Sequence, residues 1–552
     1  MQQCTDFCLR SQELGSSTSG IVQRLRQRLQ GTSCSMRALT VEGQGSIPCV
    51  GTCLIGLLLL SCLHEARADA TSAIGAFKQV RRKLATVSQI QSCISPAGAT
   101  VVFPGSTAYD NARGKVWNHR NLYMPAAIVF ATSVAQVQNA VRCAVQLNIG
   151  ISPRSGGHSY EDYSLGGRNG VLVVDLGGLT TFTYSSRSKT AIVGAGYRLG
   201  PLKLALWNAG KATIPSGTCP TVGVGGHALG GGWGFVSRKF GIMADNILAM
   251  QVVINNGSVV TADAKHNSDL FRALKGAGAN SFGIVTQFKF QAHDVSANVT
   301  YFEYHFTKAQ QFQALKAYQI WGVNAAAEVS ASLYQDPSGG NQFYGVYLGS
   351  KSNLQSQVQT YLSNAPAPSS TTIIETDYIH TVLINAGFQI TNDPSVLNLQ
   401  NYTYPESVFK SKAIIANGTG YSDAGISAFV NKLQSGPPNS YFIFDLFGGS
   451  GSAINKIAVQ PGDGWVHRNA LFNIQMFAYW QNQPQNAGTE TAFVEGIWSA
   501  VRPYSSSEAY QNYIDVEEPL SAYYANNLNS LIATKRKWDS KNVFNFNQSI
   551  PL

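Results

Sequence analysis

The sequence predicts an α+β protein of two or three domains, and three observations predict it. A chain of 552 residues is longer than one hydrophobic core normally serves. Residues 123–286 alternate short apolar strands with helices of apolar period 3.6, punctuated by two glycine clusters. From about residue 299 to 500, strands in which polar and aromatic residues alternate are interrupted by amphipathic helices, the pattern of a largely antiparallel sheet covered by helices on one face. Hydrophobic residues at 44% and charged residues at 13% describe a globular chain, not a disordered one. The net charge of +10 is spread without a long basic run, so nucleic acid is not an expected partner.

Taken in order, residues 53–63 (CLIGLLLLSCL) form an apolar run of signal-peptide length, short of the roughly 20 residues a membrane span needs. It ends at Ala66, Arg67 and Ala68, an A-x-A cleavage sequence, so residues 1–68 read as a leader and the mature chain is expected to start near Asp69. The run lies far from Met1, and a start at Met36 gives a more ordinary signal. Sequons at Asn256, Asn298, Asn401, Asn417 and Asn547 fit a secreted, extracellular protein. Six of the nine cysteines fall in the leader, leaving Cys93, Cys143 and Cys219. An oxidising compartment favours one disulfide; Cys93 and Cys143 are the natural pair, because Cys219 lies in a glycine-rich loop suited to chemistry.

Residues 127–130 read as a strand, and Ser133 with Gln136 as a capping box opening a helix that carries Val134, Val137, Val141 and Val145. A strand around 149–152 runs into R-S-G-G-H-S-Y (154–160), followed by strands at 171–176 and 191–194. A helix over 199–209 is expected to close at Gly210 as its C′ glycine. Residues 250–254 and 258–261 flank an Asn-Gly turn and read as a hairpin. Strands are expected at 300–306 and 342–348, and helices at 309–321 and 354–362.

Two constellations carry chemistry. In R-S-G-G-H-S-Y, consecutive glycines after a strand let backbone N–H groups approach an anion, although an ordinary tight turn is as good a reading of the glycines alone. The spacing is not G-x-G-x-x-G. In C-P-T-V-G-V-G-G-H-A-L-G-G-G-W-G (219–234), glycine is dense enough to require close ligand approach or several positive φ angles. A free cysteine is usually a small buried hydrophobe, and the place of Cys219 at the head of this loop argues otherwise. By residue type alone, Tyr510 and Tyr513 serve equally as core aromatics, Asp445 as a strand end and Gln475 as a partner for backbone groups; His227 and Trp233 read as packing.

Together with D-L-F-R-A-L (269–274), F-G-I-V-T (282–286), Y-Q-N-Y-I-D (510–515) and N-V-F-N-F-N-Q-S-I (542–550), these motifs resemble the berberine bridge enzyme-like branch of FAD-linked oxidases, and within it the oligosaccharide oxidases. The resemblance implies the two-subdomain FAD-binding fold of the vanillyl-alcohol oxidase type plus a substrate domain: residues 69–295 bind FAD, 296–505 bind substrate and 506–552 return to the FAD domain. It implies FAD held by two covalent bonds, to His158 at the 8α-methyl carbon and to Cys219 at C6. Arg154, Ser155, Gly156, Gly157, Ser159, Gly223, Gly225, Gly226 and Asn512 complete the cofactor site, and no metal site is implied. It further implies Tyr513 as catalytic base assisted by Asp445, Tyr160 and Gln475 as sugar contacts, and Val222 as the small residue that admits dioxygen. The expected reaction is oxidation of the anomeric C1 hydroxyl of a reducing sugar, such as cellobiose or another β-1,4-gluco-oligosaccharide, to a lactone with hydrogen peroxide as by-product, by a monomer. The alternatives are oxidation or cyclisation of an aromatic alcohol or alkaloid-like metabolite, and a secreted flavin-containing defence protein without turnover. Asp445 as an anion would raise the Tyr513 pKa, so it is expected to orient Tyr513 or take its proton onward.

Overall fold

The computed structural model describes residues 85–552, apart from 296, 405 and 482. The leader, with its signal core, cleavage sequence and start near Asp69, lies outside the described residues. Strand Ala127–Phe130, apolar and mostly buried, pairs in parallel with Leu172–Asp175, which pairs in parallel with Ile151–Arg154; Thr100–Val102 adds an antiparallel fourth strand. Ile151–Arg154 starts two residues later than expected and runs through Pro153. It is an edge strand, where a missing N–H is tolerated, and it delivers the chain directly into the first glycine loop.

Helix Val134–Gln146 is capped by Ser133, whose side chain accepts from Gln136 N at 3.4 Å. The reciprocal bond is shifted by one residue: Gln136 Oε1 accepts from Thr132 N at 2.7 Å. The disulfide Cys93–Cys143 ties this helix to Val87–Ile94. Helix Leu199–Gly210 ends differently from expectation, because Lys211 takes the left-handed conformation at φ +51°. The Lys211 ammonium lies 4.2 Å from the Trp207 ring, and Gly210 is small for another reason: a Cβ there would meet the Tyr184 ring at 2.6 Å.

A second, antiparallel sheet runs in the order Phe182–Ser185, Thr190–Gly194, Ile284–Gln291, Ile247–Val253 and Val259–Asp263. Its last pair is the expected hairpin, with Gly257 at φ +78° in the Asn-Gly turn.

The third sheet has seven antiparallel strands in the order Ser370–Thr376, Val299–His305, Asn341–Tyr347, Val329–Gln335, Ser440–Leu446, Ala470–Tyr479 and Phe409–Asn417. Helices Gln311–Gly322, Lys351–Asn364, Asp423–Leu433 and Ala487–Val501 pack on one face. Period-two alternation divides the side chains: Phe442, Phe444 and Leu446 join the helix-covered core, while Tyr441, Ile443 and Asp445 face the other side. The architecture is α+β, with its catalytic candidates on the face the helices leave open.

The segment around Gln511–Tyr513 crosses that open face. It is anchored by Asp515, fully buried between Lys410 (Nζ to Oδ1, 2.6 Å) and Lys412, both on strand Phe409–Asn417. Removing Asp515 would leave the buried Lys410 and Lys412 ammonium groups with only the exposed Glu517 as partner, so the segment's placement is strongly specified. No helix among the described residues is long and apolar enough to cross a membrane. Four of the five sequon asparagines are exposed and Asn417 is half-buried.

Candidate active site

One large cavity is lined by both glycine loops, by residues 510–514 and by the open face of the seven-stranded sheet. The two loops meet backbone to backbone. A Cβ on Gly156 would lie 2.2 Å from Gly223 N, and one on Gly223 would lie 2.1 Å from Gly156 N. Ser155 Oγ donates to Ala195 O at 2.6 Å and accepts from Gly225 N at 3.3 Å. Tyr404 Oη clamps both loops by donating to the carbonyls of Gly156 and Thr221. Gly157 needs its freedom at φ +75°, where a Cβ would also strike Lys115 O.

What remains open points at a ligand. The backbone N–H groups of Gly156, Gly157, His158 and Ser159 have no acceptor among the described residues, and all four residues line the cavity. A Cβ on Gly226 would meet nothing within 4 Å, so this exposed glycine leaves space on the cavity wall. Bare donors beside glycine are an anion cradle. The cradle, with the apolar walls beyond it, fits the pyrophosphate and ring system of FAD.

Among the other expected cofactor residues, Arg154 also lines the cavity. Its guanidinium is held by Asp175 (Nε to Oδ2, 2.8 Å) and donates to Ala112 O at 2.7 Å, so its charge is committed within the protein and it fixes the strand end. Ser159 Oγ accepts from Tyr163 N at 3.0 Å and shapes its own loop. Asn512 Nδ2 donates to His227 O at 3.0 Å and Tyr510 Oη at 2.8 Å, tying the C-terminal segment to the second loop. His227 Nε2 accepts from Gly217 N at 2.9 Å and staples that loop, and Trp233 stacks on Phe447.

His158 and Cys219 converge on one hydroxyl. Thr221 Oγ1 lies 3.0 Å from His158 Nε2 and 3.6 Å from Cys219 Sγ. Cys219 is half-buried and lies outside the disulfide. Burial, then the charge of Arg198 and the nearby His227, pushes the His158 pKa down to about 3, so the imidazole is neutral and keeps a lone pair for bonding.

Tyr513 and Asp445 also converge. Tyr513 Oη donates to Asp445 Oδ2 at 3.2 Å, and Ser332 Oγ donates to Oδ1 at 2.9 Å from the neighbouring strand. Burial raises the Asp445 pKa to about 7, with the Ser332 and Tyr513 bonds acting the other way. Burial, then the Asp445 charge, pushes Tyr513 well above its usual 10. Tyr160 stacks on Tyr513, with centroids 5.6 Å apart and planes 1° from parallel, and Gln475 Nε2 donates to Tyr160 Oη. Val222 is half-buried on the cavity wall.

Several residues of the site go unnoticed in the sequence. Thr221 and Tyr404 carry no motif-level signal beyond the threonine of C-P-T. Trp117, which packs on His158 at 5.1 Å and Tyr160 at 5.5 Å, comes from a loop 41 residues before the first glycine loop's His158. Tyr441 and Phe477, stacked at 5.0 Å, extend the aromatic wall. Strand alternation could have placed them on the Asp445 face, but only once that face was known.

The FAD binding domain family matches residues 125–263, and the family described as Berberine and berberine like matches residues 509–551. The chain is 30% identical to the chitooligosaccharide oxidase of Gibberella zeae over 475 residues, 84% of this chain and 94% of that one. It is similar to the structure of Physcomitrella patens BBE-like 1, with a TM-score of 0.81 at 54% identity over 84% of this chain and 99% of that one. It is also similar to the glucooligosaccharide oxidase of Acremonium strictum, described as holding a 6-S-cysteinyl, 8α-N1-histidyl FAD, with a TM-score of 0.76 at 28% identity over 84% and 99% of the two chains.

Proposed function

Because the chain belongs to the berberine bridge enzyme-like family of FAD-linked oxidases, we propose that it is a secreted oligosaccharide oxidase with FAD bonded to His158 and Cys219. It oxidises the C1 hydroxyl of a reducing sugar, such as cellobiose or another β-1,4-gluco-oligosaccharide, to the lactone. In this reading residues 69–295 hold FAD, 296–505 hold the sugar, 506–552 supply Tyr513, and the enzyme acts as a monomer. FAD held at His158 and Cys219 would supply the acceptor for the two electrons, with Val222 leaving room for dioxygen and hydrogen peroxide as the by-product.

The observation that carries the proposal is the Tyr513–Asp445 pair at 3.2 Å on the cavity wall. A tyrosine whose pKa is raised above 10 does not ionise by itself at neutral pH, whereas Asp445, with a pKa of about 7, is present there as a carboxylate able to accept its proton. Tyr513 therefore accepts the substrate's hydroxyl proton as it hands its own to Asp445, and no free tyrosinate accumulates. Tyr160 and Gln475 present polar atoms to a sugar beside this relay, while the aromatic rings give it faces to pack on.

The aromatic wall of Trp117, Phe235, Tyr344, Tyr441 and Phe477 also favours a second reading, oxidation of an aryl alcohol by the same relay. Peroxide release is measured across reducing oligosaccharides and aryl alcohols. Turnover of the sugars, lost when their C1 carries a methyl glycoside, is the expected result. Turnover of aryl alcohols alone replaces it with the second reading. A flavin-loaded protein silent on both panels refutes both and favours a defence protein without turnover.

A further inference from the structure

We propose that Thr221 is a positioning residue for flavin attachment. Its hydroxyl accepts the Nε2–H of His158 and donates its own hydrogen to Cys219 Sγ, which decides which atom of each residue is free to bond. The inference rests on the bicovalent reading above. Thr221 is 2% exposed, and it is the one side chain among the described residues shown within bonding distance of both His158 Nε2 (3.0 Å) and Cys219 Sγ (3.6 Å).

A hydroxyl has one hydrogen to give, and a neutral imidazole has one donor and one acceptor nitrogen, so the direction of the His158–Thr221 bond decides whether the Thr221 hydrogen is available to the sulfur. If Thr221 donated to His158 Nε2, the imidazole hydrogen would sit on Nδ1 and the sulfur would have to donate as a thiol. Neither residue would then offer a lone pair suited to attack. In the opposite arrangement Nδ1 is bare and the Thr221 hydrogen can be given to the sulfur, where it favours the thiolate, the form of cysteine that forms bonds. His158 Nδ1 has no hydrogen-bond partner among the described residues, and His158 lines the cavity. The geometry selects the second arrangement.

Two neighbours support it. Tyr404 Oη holds the Thr221 carbonyl at 3.0 Å and also the Gly156 carbonyl, so the hydroxyl is fixed relative to both loops. Lys203, buried behind the cysteine loop with Nζ 2.6 Å from Gly217 O, places a positive charge on the side where a thiolate benefits. The covalent chemistry balances simply. Each attachment exchanges one flavin C–H and one protein N–H or S–H for a C–N or C–S bond, and the two hydrogens with their two electrons leave to dioxygen as hydrogen peroxide.

The test uses the secreted holoprotein and the mass of the denatured chain, which counts flavin bonds independently of activity. Thr221→Ser and Thr221→Val are compared in the wild-type background and in His158→Ala and Cys219→Ala backgrounds that isolate each link. Thr221→Val is expected to lower the fraction of chains retaining FAD at least tenfold in each single-link background, and Thr221→Ser to stay within twofold of its parent. Thr221→Val attaching at the parent's rate and extent overturns the proposal. So does Thr221→Ser failing as badly as valine, because packing and not the hydroxyl would then be responsible. If the valine variant does not fold, Thr221→Ala takes its place: loss of attachment in alanine with retention in serine supports the hydroxyl, and attachment at the parent's extent in alanine overturns it. A wild-type chain without covalent FAD defeats the parent reading, and this one with it.

Discussion

Replacing Asp445 with asparagine should make the protein more stable and nearly inactive. Asp445 is 3% exposed, and burial raises its pKa from 3.8 to about 7. An acid whose folded pKa is raised holds its proton in the folded state at pH values where the unfolded chain has lost it. Stability therefore falls as pH rises between about 4 and 7, and the full cost persists above 7. The change from 3.8 to about 7, at about 1.4 kcal/mol per pKa unit, gives about 4 kcal/mol as the cost of keeping Asp445 ionised. Asparagine has the same shape and no charge. It can accept from one of Ser332 and Tyr513 and donate to the other, so no buried hydroxyl is orphaned. The variant should match the wild type near pH 4 and exceed it by a few kcal/mol at pH 8. Having lost the proton acceptor, it should fall about 10²- to 10⁴-fold in kcat/KM. The wild-type kcat/KM should rise with pH through about 7 as Asp445 ionises, and the variant should lack that limb. Denaturant unfolding at pH 4.5 and pH 8, on samples matched for bound flavin by absorbance, measures the first effect; peroxide release measures the second. A variant that is less stable at pH 8, or whose advantage does not grow with pH, refutes the buried-charge argument. Activity within tenfold of wild type refutes the relay.

Gly226→Leu should leave the fold and disulfide intact, because a Cβ there meets nothing within 4 Å, yet fill the cradle and cut flavin content at least tenfold by absorbance. Val222→Leu should slow reoxidation by dioxygen about tenfold while leaving sugar-driven bleaching of the flavin unchanged; stopped-flow absorbance separates the two half-reactions. Cys143→Ser opens a disulfide spanning 50 residues of sequence and should lower unfolding free energy by about 4 kcal/mol on the chain-entropy argument, read by denaturant unfolding.

Local features of this chain were legible in its sequence because they are decided within a few residues. Ser133 capping its helix, the Asn-Gly turn with Gly257 at positive φ, and the alternating strands expected at 300–306 and 342–348 and found at Val299–His305 and Asn341–Tyr347 each depend on near neighbours. So do the glycine loops, whose density announced a close approach before its object was known. Resemblance then supplied His158, Cys219, Tyr513 and Asp445 as candidates, but with no geometry attached. Only the tertiary structure brought Tyr513 to Asp445 across 68 residues, Gln475 to Tyr160 across 315, and Thr221 to His158 across 63. It alone committed Arg154 to Asp175, gave the left-handed position after helix Leu199–Gly210 to Lys211, and set the Tyr184 ring in the space beside Gly210. The pKa values that assign the proton to Asp445 belong to this second class. They arise from burial, which is a property of everything packed around a residue and is not written beside it in the chain.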